Sequence, residues 1–133
     1  MFIDTSAVAT ILAGEPEATA FVPCNEAAGG RETGPHVGLE ATINLARILG
    51  LPIAVAQKMY DAFLATAGIT VVPIDDAVAR RAVDAFDRYG KGRGHPAQLG
   101  FADCLSYACA ASGRVPILFK GRDVTRTDLA IAS

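Results

Sequence analysis

Residues 1–8 read MFIDTSAV, and the architecture of the chain turns on how that stretch is parsed. Phe2 and Ile3 make a very short apolar strand. Asp4, Thr5 and Ser6 then break the apolar run, and any of the three is suited to cap a helix beginning near Ala7. In open α/β sheets ligands bind beyond the carboxyl ends of the strands, where an acid such as Asp4 would stand. Taken alone, Asp4 reads first as a helix cap. Two later acids, Glu40 and Asp103, also sit in apolar company and give it a second reading.

Outward from that opening, Ala7, Val8, Ile11 and Leu12 recur at helical spacing and Gly14 closes the helix. Glu15-Pro16-Glu17 starts a second helix with Ala18, Phe21 and Val22 on its apolar face, and Pro23 should kink or end it. Residues 28–34 are expected as a loop, Pro35-His36-Val37 as a short second strand, and Gly38 to Leu49 as a helix stopped by Gly50. In that helix Ala41, Leu45, Ile48 and Leu49 form the apolar stripe, while Glu40, Asn44 and Arg47 share another face. A further helix carries Val55, Met59, Ala62, Phe63 and Thr66 and ends at Gly68. ITVVPI, residues 69–74, has the continuous apolar character of a parallel strand buried on both faces.

Asp75 caps the next helix, with Val78, Ala82, Ala85, Phe86 and Tyr89 turned inward. GKGRGHP, residues 90–96, is expected as a flexible basic loop. Phe101 to Ser112 forms an Ala-rich helix with Asp103 near its start, Gly113 ends it, and Pro116 to Phe119 is another buried strand. Helices alternate with short apolar strands throughout. The economical architecture is therefore one α/β domain over residues 1–133, a short parallel sheet covered by helices on both faces.

At 133 residues the chain can bury a core without staples, and 51% hydrophobic against 20% charged residues makes it globular. A net charge of -2 argues against a wholly basic nucleic-acid binder and leaves room for a basic rim around an acidic pocket. Cys24, Cys104 and Cys109 form no CxxC pair and read as small buried hydrophobes in a reducing compartment. Asp4 interrupts the start, which lacks a basic lead-in, so neither a signal peptide nor a membrane span is expected, and the cytoplasm follows.

Asp4 follows a strand, and Glu40 and Asp103 lie in the first turns of helices, where the dipole favours a carboxylate. Carboxylates turned toward one cleft repel each other and raise some of their pKa values unless a cation neutralises them. Oxygen ligands suit Mg²⁺ or Mn²⁺, and such a site can activate water against a phosphodiester.

Four segments in order, FIDTSA, GLEATINLAR, HPAQLGFADCLSYACA and ILFKGRDVTRTDL, resemble those of PIN-domain proteins, most closely the VapC-like ribonuclease toxins of prokaryotic toxin–antitoxin pairs. The resemblance runs from Met1 almost to the C-terminus. It implies a PIN-like fold and a Mg²⁺- or Mn²⁺-dependent endoribonuclease, often homodimeric, silenced by a VapB-like antitoxin that inserts a segment into the active site. It assigns Asp4, Glu40 and Asp103 as metal-binding acids and Asp123 as the fourth acid of the pattern. It gives Thr5 and Ser6 as hydroxyls near metal-bound water or phosphate, and Asn44, one turn after Glu40, as a residue supporting the ligands. The chain departs from the pattern at Arg122, where a polar or acidic residue is usual, at Val124 for an aromatic, and at Gly100 for an Asn. Pro23 also falls where the pattern keeps a continuous helix.

Arg88, Lys91 and Arg93, together with Lys120, Arg122 and Arg126, are the places to seek RNA backbone contacts, although a charge run usually serves only as a solvated loop. His36 and His95 read as structural or surface residues. Val55, Met59 and Phe63 could serve a dimer or antitoxin interface but fit a core stripe better. Two rival functions fit the same acids: a PIN-fold module that binds antitoxin or RNA without turnover, and a receiver-like phosphoacceptor domain. The second is disfavoured because Asp103 starts a helix and no phosphoacceptor Asp is read after a central strand.

Overall fold

The computed structural model describes residues 1–19, 21 and 29–132. Its central strand is β1 (Phe2–Ile3), whose two side chains are fully buried. β1 pairs in parallel with β2 (Arg31–Thr33) on one side and with β4 (Ile117–Leu118) on the other, while β3 (Ile69–Val71) lies outside β2. Phe2 stands opposite both Glu32 and Ile117. The strand order is β3-β2-β1-β4, so the path from β3 to β4 crosses from one edge to the other. The winding direction therefore reverses between β1 and β4, the position at which open α/β sheets bind ligands.

Five helices described over their whole length cover the sheet: α1 (Thr5–Ala13), α2 (Pro35–Leu49), α3 (Ile53–Ala67), α4 (Asp76–Tyr89) and α5 (Phe101–Gly113). α1 and α3 both pack on α2, and α4 lies along α5. Gly14, Gly50 and Gly68 end α1, α2 and α3 in the left-handed conformation, with φ of 68°, 64° and 64°. Asp75 caps α4, accepting from the Val78 backbone N–H at 2.9 Å. These terminators behave as the sequence predicts.

Four details differ from expectation. The second strand is Arg31–Thr33, and Pro35 is the first residue of α2. A proline has no N–H to contribute to a ladder, whereas its fixed φ suits the first helical position. β3 spans three residues at the sheet edge, with Thr70 and Val71 exposed, so it is not buried on both faces. α3 turns Ala56 and Tyr60 inward and leaves Val55 exposed, and Phe86 on α4 is likewise exposed. Arg114, and not a glycine, takes the left-handed cap after α5 at φ 53°. Ala18 and Thr19 are helical after Pro16, whereas Val22, Pro23 and Cys24 lie outside the described residues. Cys104 and Cys109 are buried, and burial pushes both thiols up to about 11.

Candidate active site

The carboxyl end of β1 places Asp4, only 3% exposed, at the N-cap of α1. Its Oδ2 accepts from the Ser6 backbone N–H at 3.0 Å and from the Ser6 hydroxyl at 2.7 Å. The same hydroxyl oxygen accepts from the Lys120 N–H at 2.9 Å, and the Asp4 N–H donates to the Leu118 carbonyl at 3.1 Å. Asp4 is thus bound to the segment leaving β4 at the point where the sheet reverses its winding.

α2 brings Glu40 and α5 brings Asp103, both partly buried. Asp103 lies in the first turn of α5, and its Oδ2 accepts from the Gly100 N–H at 3.1 Å. Burial pushes its carboxyl up to about 6; the Gly100 bond opposes this, and the negative fields of Asp4, Glu40 and Asp123 add to it. Asp4, Glu40 and Asp123 thus lie near enough to Asp103 for their charges to act on it. Asp123, partly buried, leads into a 3-10 turn over Val124–Arg126 that is anchored by the fully buried Val124.

Among the described residues no three His, Cys, Asp or Glu side chains converge closely enough to hold a metal ion together. The donors nevertheless suit a hard cation, which commonly takes one or two carboxylates with water and phosphate oxygens. Beside Asp4 the Thr5 Oγ1 is buried and has no hydrogen-bond partner among the described residues. A buried hydroxyl of that kind calls for a polar ligand. Asn44 stands one turn beyond Glu40 on α2 and is partly buried.

The basic residues divide into engaged and open ones. Arg88 pairs with Asp84 and Asp128, donates to the Tyr89 hydroxyl at 2.7 Å and lies over the Tyr89 ring. Arg93 pairs with Asp87 at 2.8 Å, and Lys120 pairs with Glu15 and Glu17. Arg126 donates to the Pro96 carbonyl. Lys91 and Arg122 are exposed. The loop expected as flexible is tied at both ends, Lys91 N–H to Leu99 carbonyl and Leu99 N–H to Tyr89 carbonyl, each at 2.9 Å. His95 within it packs edge-on against Tyr89 and its Nδ1 accepts from the Ala97 N–H.

Sequence reasoning missed one polar pair near the acids: His36 Nε2 meets Ser106 Oγ at 2.8 Å. Burial lowers the pKa of His36, against the raising field of Asp4. The two residues are 70 positions apart, and their only signal was their spacing, each about one turn from an acid.

Residues 1–129 match the PIN domain family. Ribonuclease VapC28 of Mycobacterium tuberculosis (strain ATCC 25618 / H37Rv) is 37% identical over 127 residues, covering 96% of this chain and 93% of that protein. Ribonuclease VapC30 of the same strain is 38% identical over 132 residues, covering 98% and 96%. Among solved structures, Mycobacterium tuberculosis VapC20, a sarcin-ricin loop cleaving toxin, superposes with a TM-score of 0.78 at 19% identity over 99% of this chain and 98% of that one. A toxin–antitoxin complex from Klebsiella pneumoniae gives 0.66 at 15% identity, covering 92% and 88%. The two structures speak for the fold, and the two sequences speak for the nearer kinship. This chain belongs to the PIN-domain family and, within it, to the VapC ribonucleases.

Proposed function

We propose that the protein is the toxin of a VapBC-type pair, a Mg²⁺- or Mn²⁺-dependent endoribonuclease that cuts RNA phosphodiesters by hydrolysis. The observation that carries this reading is the proximity of Asp4, Glu40 and Asp123 to Asp103, whose carboxyl is raised first by burial and further by their charges. The like-charge part of that rise is what a bound cation would relieve. Asp4, Glu40 and Asp103 are the residues that would hold the ion, with Asp123 assisting and Thr5, Ser6 and Asn44 supporting water, phosphate or the acids. When bound, the ion supplies Lewis-acid activation of water and offsets charge developing on the phosphate.

The chain's own groups do the rest. Ser6 fixes the rotamer of Asp4, and the Gly100 N–H fixes that of Asp103. Lys91, Arg122 and, once released from their acidic partners, Arg88, Arg93 and Lys120 receive the RNA backbone. A VapB-like antitoxin is the proposed inhibitor. A second copy of the chain is the proposed partner for the exposed apolar side chains Val83, Phe86 and Phe101. No helix among the described residues is long and apolar enough to cross a membrane. The cytoplasm is the proposed location.

Cleavage of a panel of structured and single-stranded RNAs by wild type and Asp4→Asn, with Mg²⁺, Mn²⁺ or EDTA, tests the reading. Metal-dependent cleavage that disappears in Asp4→Asn supports it. An inert wild type leaves the non-catalytic binding module, and equal cutting by the mutant marks a contaminant.

A further inference from the structure

α2 packs mainly with α1 and α3 and α5 mainly along α4, and α2 and α5 themselves meet over a small contact. Each carries one of the acids. The His36–Ser106 hydrogen bond joins the two helices, and Ser106 at its far end is fully buried. His36 lies four positions before Glu40 on α2, and Ser106 lies three positions after Asp103 on α5. Residues three or four apart share a helix face. The bond therefore spans the two helices on the very faces that present the two carboxylates.

The imidazole is held in that place from three sides. Its ring lies nearly parallel to Phe2 of β1, at 11° with centroids 6.3 Å apart. Its Nε2 is engaged with Ser106. Behind it Gly34 leaves the room the ring occupies, because a Cβ there would fall 2.6 Å from the ring Cε1 and 2.7 Å from Nδ1. A ring so confined transmits a fixed spacing from one helix to the other.

Resting on the metal-dependent reading above, we infer that His36 and Ser106 are a positioning pair that sets the separation of the Glu40 and Asp103 carboxylates and so the affinity of the cleft for a divalent cation. Neither residue touches the reacting atoms. Gly34 belongs to the device because it permits the ring position.

Mn²⁺ binding to the full-length chain, followed by the electron paramagnetic resonance signal of the free ion, tests the inference without relying on cleavage. His36→Ala and Ser106→Ala should each weaken Mn²⁺ binding by about tenfold, and the double variant should be little worse than either alone. His36→Gln, whose amide can reach Ser106, should recover most of the affinity. Gly34→Ala should weaken binding although it keeps both His36 and Ser106, because the added Cβ would push the ring from its place. Val78→Ala, a partly buried position on α4 away from the cleft, should keep wild-type affinity even as its melting temperature falls. Unchanged Mn²⁺ affinity in Ser106→Ala and Gly34→Ala would overturn the positioning role while the metal reading stands. A wild type that takes up no Mn²⁺ overturns the metal reading itself, and this inference with it.

Discussion

Ser6 donates twice to one oxygen of Asp4: its backbone N–H at 3.0 Å and its hydroxyl at 2.7 Å both reach Oδ2. The carboxylate is thereby turned about a fixed axis, with Oδ1 as the oxygen left to meet a ligand. Because the Ser6 hydroxyl also accepts from the Lys120 N–H, one small side chain joins the exits of β1 and β4.

Ser6→Ala removes the hydroxyl bond to Asp4 and leaves the Lys120 N–H without its acceptor. The expected loss is about 1–2 kcal/mol of stability, read from urea unfolding. Cleavage should fall by about tenfold as Asp4 gains rotational freedom. Full activity with unchanged stability would mean that the α1 backbone alone orients Asp4.

Asp103 predicts how stability changes with pH. A carboxyl whose folded pKa is raised favours the folded state while protonated and opposes it once ionised. Metal-free protein should therefore keep this contribution below about pH 4 and lose it as pH rises through about 6. Allowing for partial exposure of the group, the loss is about 1–2 kcal/mol. In EDTA, Asp103→Asn should melt above wild type at pH 7.5 and close to it near pH 4, while failing to cleave RNA. Saturating Mn²⁺ should reverse the order at pH 7.5, because only wild type binds the ion well. A wild-type melting curve in EDTA that is flat between pH 4 and 7 rejects the shared acidic cleft.

The parts of this molecule that could be read from sequence are those fixed by local chemistry. Gly14, Gly50 and Gly68 end helices because the left-handed cap suits a residue without Cβ, and Asp75 caps α4 through its own carboxylate. The acids were legible because they interrupt apolar segments. What escaped depended on distant partners. β2 is Arg-Glu-Thr, and nothing in three polar residues announces a strand whose ladder is supplied by β1 and β3. ITVVPI looks buried by composition, yet lies at the edge because the order β3-β2-β1-β4 puts it there. The apolar spacing of α3 points one residue away from its buried face, since its apolar side chains go almost all the way round and packing on α2 selects Ala56 and Tyr60. His36 reads as a structural or surface residue until Ser106 is brought to it.

The ion pairs of the basic residues predict a shallow salt dependence. Arg93 is committed to Asp87, and Arg88 to Asp84 and Asp128, whereas Lys91 is exposed beside them. Each phosphate contact contributes about 0.7 to the slope of log K against log salt for a single strand. Lys91→Gln should lower the slope by about that amount, measured by fluorescence titration of single-stranded RNA with catalytically silent Asp4→Asn protein. Arg93→Gln should change it much less, because the arginine must first leave Asp87. Equal effects from the two substitutions would show that RNA displaces Asp87 at little cost.

The remaining departure from the family pattern is Arg122, exposed and adjacent to Asp123, in a segment fastened by the Thr125 hydroxyl donating to the Arg122 carbonyl. Val124, which replaces an aromatic there, is fully buried and serves as the anchor of the turn. Because Asp123 reaches Asp103 through its field, it should matter to the cation without being indispensable. Asp123→Asn is expected to reduce cleavage by about 10–100-fold, less than the complete loss expected of Asp4→Asn. Arg122→Asp should act in the opposite direction on binding. It removes a positive neighbour and adds a carboxylate, so Mn²⁺ should bind more tightly and cleavage at limiting Mn²⁺ should rise. The same substitution should lower the melting temperature in EDTA, because another negative charge joins a cleft whose acids already repel. Tighter Mn²⁺ binding with lower metal-free stability is the paired signature of a shared acidic cleft. If Arg122→Asp alters neither, the segment after β4 lies outside the electrostatic reach of the site, and three acids alone must hold the ion.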